Sequence, residues 1–216
     1  MTATTSPTAL ALGALALVAA LVGSGVFAYD RLTWLLEVLP VLVALPLLAA
    51  TRRSYPLTPL VYGCVFVHAL VLIVGGTYTY ARVPVGFAVA DWLHLARNPY
   101  DKLGHFMQGF APALLAREIL VRGNHVAGRR MLAFVVLSVV LAISAAYELV
   151  EWAGAVVLGA DADAFLGTQG DPWDTQSDML CALIGGSTAL AMLSRVHDTQ
   201  LARLAAAQAP AWAATG

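Results

Sequence analysis

Seven carboxylates, Glu148, Glu151, Asp161, Asp163, Asp171, Asp174 and Asp178, fall between Arg130 and Arg195 with no Lys or Arg among them. An acid at membrane depth costs on the order of 2.5 to 3.5 kcal/mol on insertion scales, so each needs a local compensating partner. A bound cation, a shared proton or a polar substrate would each serve. Five of these acids, together with Asp101 earlier in the chain, fall on three polar stripes: Asp101, His105 and Gln108; Ser144, Glu148 and Glu151; Asp171, Asp174 and Asp178. Members of a stripe lie three or four residues apart and so share one helix face. Carboxylate oxygens with one imidazole suit a divalent cation such as Mg, Mn or Zn, with Ser, Thr or Gln orienting the ligands.

Local structure offers a second account of part of this set. Asp171-Pro172-Trp173-Asp174 has the form of an N-cap, a Pro at the first helical position and an acid in the first turn, and Asn98-Pro99-Tyr100-Asp101 has the same form. Capping is therefore as good an account of Asp101, Asp171 and Asp174 as a role in the site. It does not explain His105, Glu148, Glu151 or Asp178, which are expected to form a shared ion or proton site or else an internal network such as His105 with Glu148. The two cap motifs also align with each other over eight positions, which hints at a parallel repeat. The loop 159–170, rich in Gly and acids, is placed to wrap a cation or cover a pocket, although its spacing is not that of an EF-hand.

Those stripes must be positioned by membrane helices. The chain is 60% hydrophobic and 12% charged over 216 residues, with a mean hydropathy of +0.77, and apolar runs of 18 or more residues recur along it. The expected fold is all-α, a polytopic helical bundle forming one integral membrane domain with spans near 9–27, 34–50, 60–80, 104–121, 131–150 and 175–193. The fourth is interrupted by Pro112 and by Arg117-Glu118, and 85–95, with Trp92 and His94, reads as a short interfacial helix. No basic residue precedes the first run, which is also long for a signal peptide, so it is taken as a span. Eight basic residues (Arg52, Arg53, Arg117, Arg122, Arg129, Arg130, Arg195, Arg203) fall on one side and four (Arg31, Arg82, Arg97, Lys102) on the other. That bias puts both termini in the cytoplasm, and the three stripes then meet near the outer leaflet.

Membrane lipids are the expected surroundings. A net charge of -1 offers no basic stripe for nucleic acid. Cys64 and Cys181 sit in apolar runs as packing thiols, and His68, alone in another, reads as a packed or hydrogen-bonded histidine. No GxSxG elbow, HExxH helix, P-loop or dinucleotide fingerprint occurs.

At 101–120 (DKLGHFMQGFAPALLAREIL), 142–152 (AISAAYELVEW) and 161–185 (DADAFLGTQGDPWDTQSDMLCALIG) the chain closely resembles the YjdF-like bacterial inner-membrane family. The Asp-Lys-x-x-His opening followed by an acid-headed helix is similar in outline to VanZ-like membrane proteins, a family connected with glycopeptide resistance and the cell envelope. These resemblances imply a multi-span fold in the bacterial inner membrane and assign no catalytic residue. Three functions fit the residues. One is a metal-assisted enzyme on a lipid-linked or envelope substrate, with His105, Glu148, Glu151 and Asp178 as ligands or proton exchangers and Asp101, Gln108, Asp171 and Asp174 in support. The others are a proton- or cation-coupled transporter using the same acids, and a structural or interaction protein whose acids only cap and cross-link helices. The acid-rich outward loop weighs for the first, and the absence of two evident halves weighs against the second.

Overall fold

A computed structural model describes residues 4–158 and 169–208 of the chain. The described residues form seven helices and no strand: α1 (Pro7–Phe27), α2 (Arg31–Thr51), α3 (Pro59–Tyr78), α4 (Pro84–Leu93), α5 (Tyr100–Arg122), α6 (Arg129–Leu158) and α7 (Asp174–Gln208). Local chemistry starts them. Pro stands in the first turn of α1, α3 and α4, where its missing N–H costs nothing. Asp30 opens α2 by accepting a hydrogen bond of 2.7 Å from the Thr33 amide, which holds its carboxyl below the ordinary value.

Helices α1, α2, α3, α6 and α7 are long and apolar enough to cross a membrane. The exception is α5, the expected fourth span. With 23 residues it reaches about 35 Å, enough to cross, but Asp101, Lys102, His105, Arg117, Glu118 and Arg122 keep it from being apolar. Its position explains how such a helix is tolerated: it packs on α3, α6 and α7, and His105, Arg117 and Glu118 are buried. Polar side chains within a bundle face protein partners and not hydrocarbon. The outer helices show the complementary pattern, with Leu12, Leu15, Val22, Val43 and Leu47 exposed, as lipid-facing residues must be.

Helices α5 and α7 form the axis of the bundle and run parallel. A Cβ at Gly109 of α5 would overlap the Ala182 carbonyl, and one at Gly185 of α7 would overlap the Phe106 carbonyl. Only glycine permits this backbone contact, the small-residue packing that holds helices together in lipid. One apolar core joins α1, α2 and α3 with Tyr80, Val83 and Tyr100. The other joins α3, α5, α6 and α7. Helix α4 is short and carries Trp92, 79% exposed, beside exposed Phe87 and Leu93, the composition of an interfacial helix. Two helices run past their expected ends: α6 continues to Leu158 and α7 to Gln208.

Candidate functional site

The start of α5 and the start of α7 lie side by side because the chain segments leading into them are bonded together. Gln169 Nε2 donates to the Asn98 carbonyl, and Gln169 Oε1 accepts from the Asn98 amide, both at 3.1 Å. Asn98 in turn donates to the Val83 carbonyl and accepts from the Tyr100 amide. Arg97 reaches Asp171 at 2.7 Å and Asp174 at 2.8 Å. The two aligned cap motifs are thus direct neighbours in space.

Below this seam lies the polar cluster. Asp101, His105 and Asp178 each offer a ligand atom within 4.8 Å of the others. His105 Nε2 is 3.6 Å from Asp101 Oδ1 and 3.8 Å from Asp178 Oδ1, and Nδ1 is 3.2 Å from Gln108 Oε1. From α6, Glu148 Oε1 comes within 3.8 Å of His105 Nδ1. That oxygen is buried with no hydrogen-bond partner among the described residues, and so is the hydroxyl of Ser144 one turn away. Buried polar atoms are rarely left in that state without a water, ion or ligand to satisfy them. Glu151 lies within electrostatic range of His105 and Glu148. Asp101, Gln108, Glu148 and Asp178, from three helices, therefore surround one imidazole, whereas Asp171 and Asp174 are drawn to Arg97 and Lys102.

The basic partners that the segment itself lacks reach these acids from earlier in the chain. Lys102 Nζ lies 2.6 Å from Asp178 Oδ1 and 2.7 Å from Asp174 Oδ1, and Arg97 holds Asp171 and Asp174. Both cations come from the preceding half of the chain, and their placement on the sparsely basic side had marked them only as topology signals. The expected cap motifs are shifted: α7 begins at Asp174 and α5 at Tyr100 with Pro99 at its cap, so Pro172 and Pro99 stand before the first helical position. Asp171, whose Oδ1 accepts from the Trp173 amide at 2.9 Å, orders the turn ahead of α7 and is not its N-cap. Asp101 and Asp174 stand in the first turns of their helices but spend their oxygens on Lys102, His105 and Arg97. His105 and Glu148 are too far apart, at 3.8 Å, for the direct hydrogen bond the internal-network reading used as its example. The loop residues Asp161 and Asp163, with 159–168 as a whole, lie outside the described residues.

Three site residues escaped the sequence reading. Glu37 of α2 is 5% exposed and accepts a hydrogen bond of 2.9 Å from the Tyr147 hydroxyl of α6. Tyr147 is edge-on to His105, with ring centroids 6.5 Å apart. A lone acid in a 21-residue apolar helix was itself a readable signal. Tyr80 carried none. It follows Thr79, and both adopt left-handed backbone (φ 44° and 56°), a strain of about 1–3 kcal/mol each. The turn folds the Tyr80 ring back between α3 and α5, where a Cβ at Gly75 or Gly104 would collide with it. Its phenol then comes within electrostatic range of Glu37, Asp101 and Glu151, and burial with these acids pushes its pKa well above the ordinary value. It remains protonated, hence a hydrogen-bond donor.

A second polar cluster closes the opposite end of α5 and α7. The Glu118 carboxylate, fully buried, accepts from the Thr58 amide and hydroxyl, from Arg122 at 2.9 Å and from His197 Nε2 at 3.1 Å. Arg117 faces His197 Nδ1 at 3.2 Å. A guanidinium can only donate, so Nδ1 accepts from Arg117 while Nε2 faces Glu118, and His197 links the two. Every member is satisfied. The sequence showed Arg117-Glu118 only as an interruption. His68 of α3, in contrast, has its buried Nε2 unpartnered among the described residues.

Long apolar helices around a polar central pair define a polytopic helical membrane protein. The chain belongs to the family described as predicted membrane protein (DUF2238), which matches residues 9–199. It is 60% identical over 203 residues to the inner membrane protein YjdF of Escherichia coli (strain K12), covering 94% of this chain and 97% of that protein. It is accordingly a multi-pass inner-membrane protein of the family its sequence resembled. No solved structure matches it.

Proposed function

We propose that Asp101, His105 and Asp178 bind a divalent cation, with Glu148 and Glu151 as further ligands or proton acceptors, and that this centre serves a metal-assisted reaction on a lipid-linked or envelope substrate. The observation that carries the reading is the convergence of three ligand atoms within 4.8 Å beside a buried carboxylate oxygen of Glu148 that has no partner among the described residues. Charge supports it. Asp101, Asp171, Asp174 and Asp178 meet the permanent cations Arg97 and Lys102, which leaves a formal charge of -2 before the three glutamates are considered. A dication balances that excess, and two carboxylates with an imidazole suit Mn, Zn or Mg. The cation would polarise a substrate oxygen or acidify a bound water, and the Glu148 carboxylate beside His105 would take up the proton released. In this reading both termini are cytoplasmic, as the 8 to 4 distribution of basic residues suggests, and the centre opens outward.

Elemental analysis of detergent-purified protein tests the proposal. One equivalent of metal in the parent protein, lost in the Glu148→Gln, Asp178→Asn variant and in His105→Gln, is the expected outcome. Parent protein that takes up no Mn, Zn or Mg even after dialysis against each would refute it. The second reading, a metal-free network that only cross-links helices, is favoured by one observation: the Lys102 ammonium already sits on Asp174 and Asp178.

A further inference from the structure

At the Glu118 end of the bundle, away from the His105 cluster, the first three helices fail to close on one another. The N-terminal half of α1, the C-terminal half of α2 and the N-terminal half of α3 enclose a cleft of about 680 Å³ lined by Ala14, Leu45, Leu48, Gly63 and Phe66, with Arg52 also in its wall. Small residues on facing helices normally let backbones touch, as they do between α5 and α7. Here α1 leans on α3 and barely meets α2. The opening is large enough to hold a ligand-sized molecule, and its walls are mostly hydrocarbon, with Arg52, Thr5 and Tyr62 as the polar residues and Arg52 as the one charge. Arg52 is exposed and makes no hydrogen bond or ion pair among the described residues. Arg53 follows it in the turn that ends α2.

An apolar slot between lipid-facing helices, ending at an unpaired guanidinium at the helix terminus, has the two-part chemistry of an anionic phospholipid. We propose that this cleft is a specific site for one such lipid, its acyl chain between α1, α2 and α3 and its phosphate on Arg52. The site is independent of the metal reading and uses none of the same residues. A neutral headgroup lacks the net charge that Arg52 selects. One Arg near the membrane surface corresponds to an about fivefold preference for the anionic lipid.

Gly63 provides a clean test, because a Cβ there meets nothing within 4 Å and Gly63→Leu extends into the cleft without displacing the protein. Replacing a helical Gly also favours the helix, so the variant should fold. Full-length protein is exchanged into nanodiscs containing equal phosphatidylglycerol and phosphatidylcholine of the same chain length, and retained lipid is counted by native mass spectrometry. The parent protein is expected to keep one phosphatidylglycerol in about fivefold preference. Gly63→Leu should lose it, and Arg52→Gln should keep a lipid with the preference abolished. Equal retention of the two lipids by the parent protein would overturn the proposal, as would undiminished retention by Gly63→Leu. A protein dimer that disappears in Gly63→Leu would overturn it in favour of a second copy of the chain.

Discussion

Replacing Lys102 by Met keeps the length of the side chain and removes the ammonium that holds α5 to α7. In the protein that ammonium lies 2.7 Å from Asp174 and 2.6 Å from Asp178, and its two partners are 7% and 2% exposed. Removing one partner of a buried pair costs about 3–5 kcal/mol, because the charge left behind is uncompensated. Asp174 retains Arg97 and Lys102 itself is 22% exposed, so the lower figure applies: about 3 kcal/mol, or about 6–12 °C in midpoint for a chain of this size. Thermal unfolding in detergent, followed by circular dichroism, measures it. Adding Asp178→Asn to Lys102→Met should recover most of the loss, since the orphaned charge is gone, giving a coupling energy of about 2 kcal/mol. The metal proposal adds a second arm. With Lys102 gone, Asp178 Oδ1 is freed, and Mn at a hundred times its dissociation constant should restore about 2.7 kcal/mol. A Lys102→Met protein as stable as its parent, with no coupling in the cycle, would show that these ion pairs do not hold the helices and would remove the basis of the argument.

At the other end, Glu118→Ala should cost about 3–5 kcal/mol in the same unfolding assay, because it leaves Arg122, Thr58 and His197 without their shared acceptor; Glu118→Gln should cost less. Gly104→Ala should displace the Tyr80 ring, which lies 2.7 Å from the added Cβ, and lower stability by about 1–3 kcal/mol, whereas Gly63→Ala should not. An unchanged midpoint in Gly104→Ala would mean that the ring is not held in its cradle. A fluorescent protein fused after the C-terminus should glow and alkaline phosphatase fused there should be inactive; the reverse pair would invert the orientation.

What the sequence disclosed, and what it hid, follows from the range of each interaction. Apolar runs of spanning length are local, and so α1, α2, α3, α6 and α7 could be located from composition alone. Stripes at helical spacing are local too, which is why Asp101 with His105, Ser144 with Glu148, and Asp174 with Asp178 could be assigned to faces before any packing was known. Partners across the bundle were not legible. Lys102 is adjacent in sequence to Asp101, yet its principal bonds span 72 and 76 residues. Arg117 and Glu118 read as interruptions of a span because nothing local shows that His197 and Thr58 will enclose them. Tyr80 was hidden for a different reason: a left-handed turn in non-glycine residues has no composition signature, and only the paired Gly75 and Gly104 record the volume the ring takes.

The glycine contact between α5 and α7 connects both polar clusters to one register. Gly109 against Ala182 and Gly185 against Phe106 are backbone contacts and leave no room for gradual sliding. Rigidly joined helices move only by discrete steps, of which one turn, about 5.4 Å, is the natural unit. Such a step would carry Asp178 away from Lys102 and His105, and in the same motion carry His197 away from Glu118. Neither cluster can therefore change its pairing by helix translation without exposing the other to the loss of a buried partner. The polar groups that make α5 too hydrophilic to be a simple span are the same groups that fix it against α7, and the position of His105 relative to Asp178 is determined by the whole length of that pair.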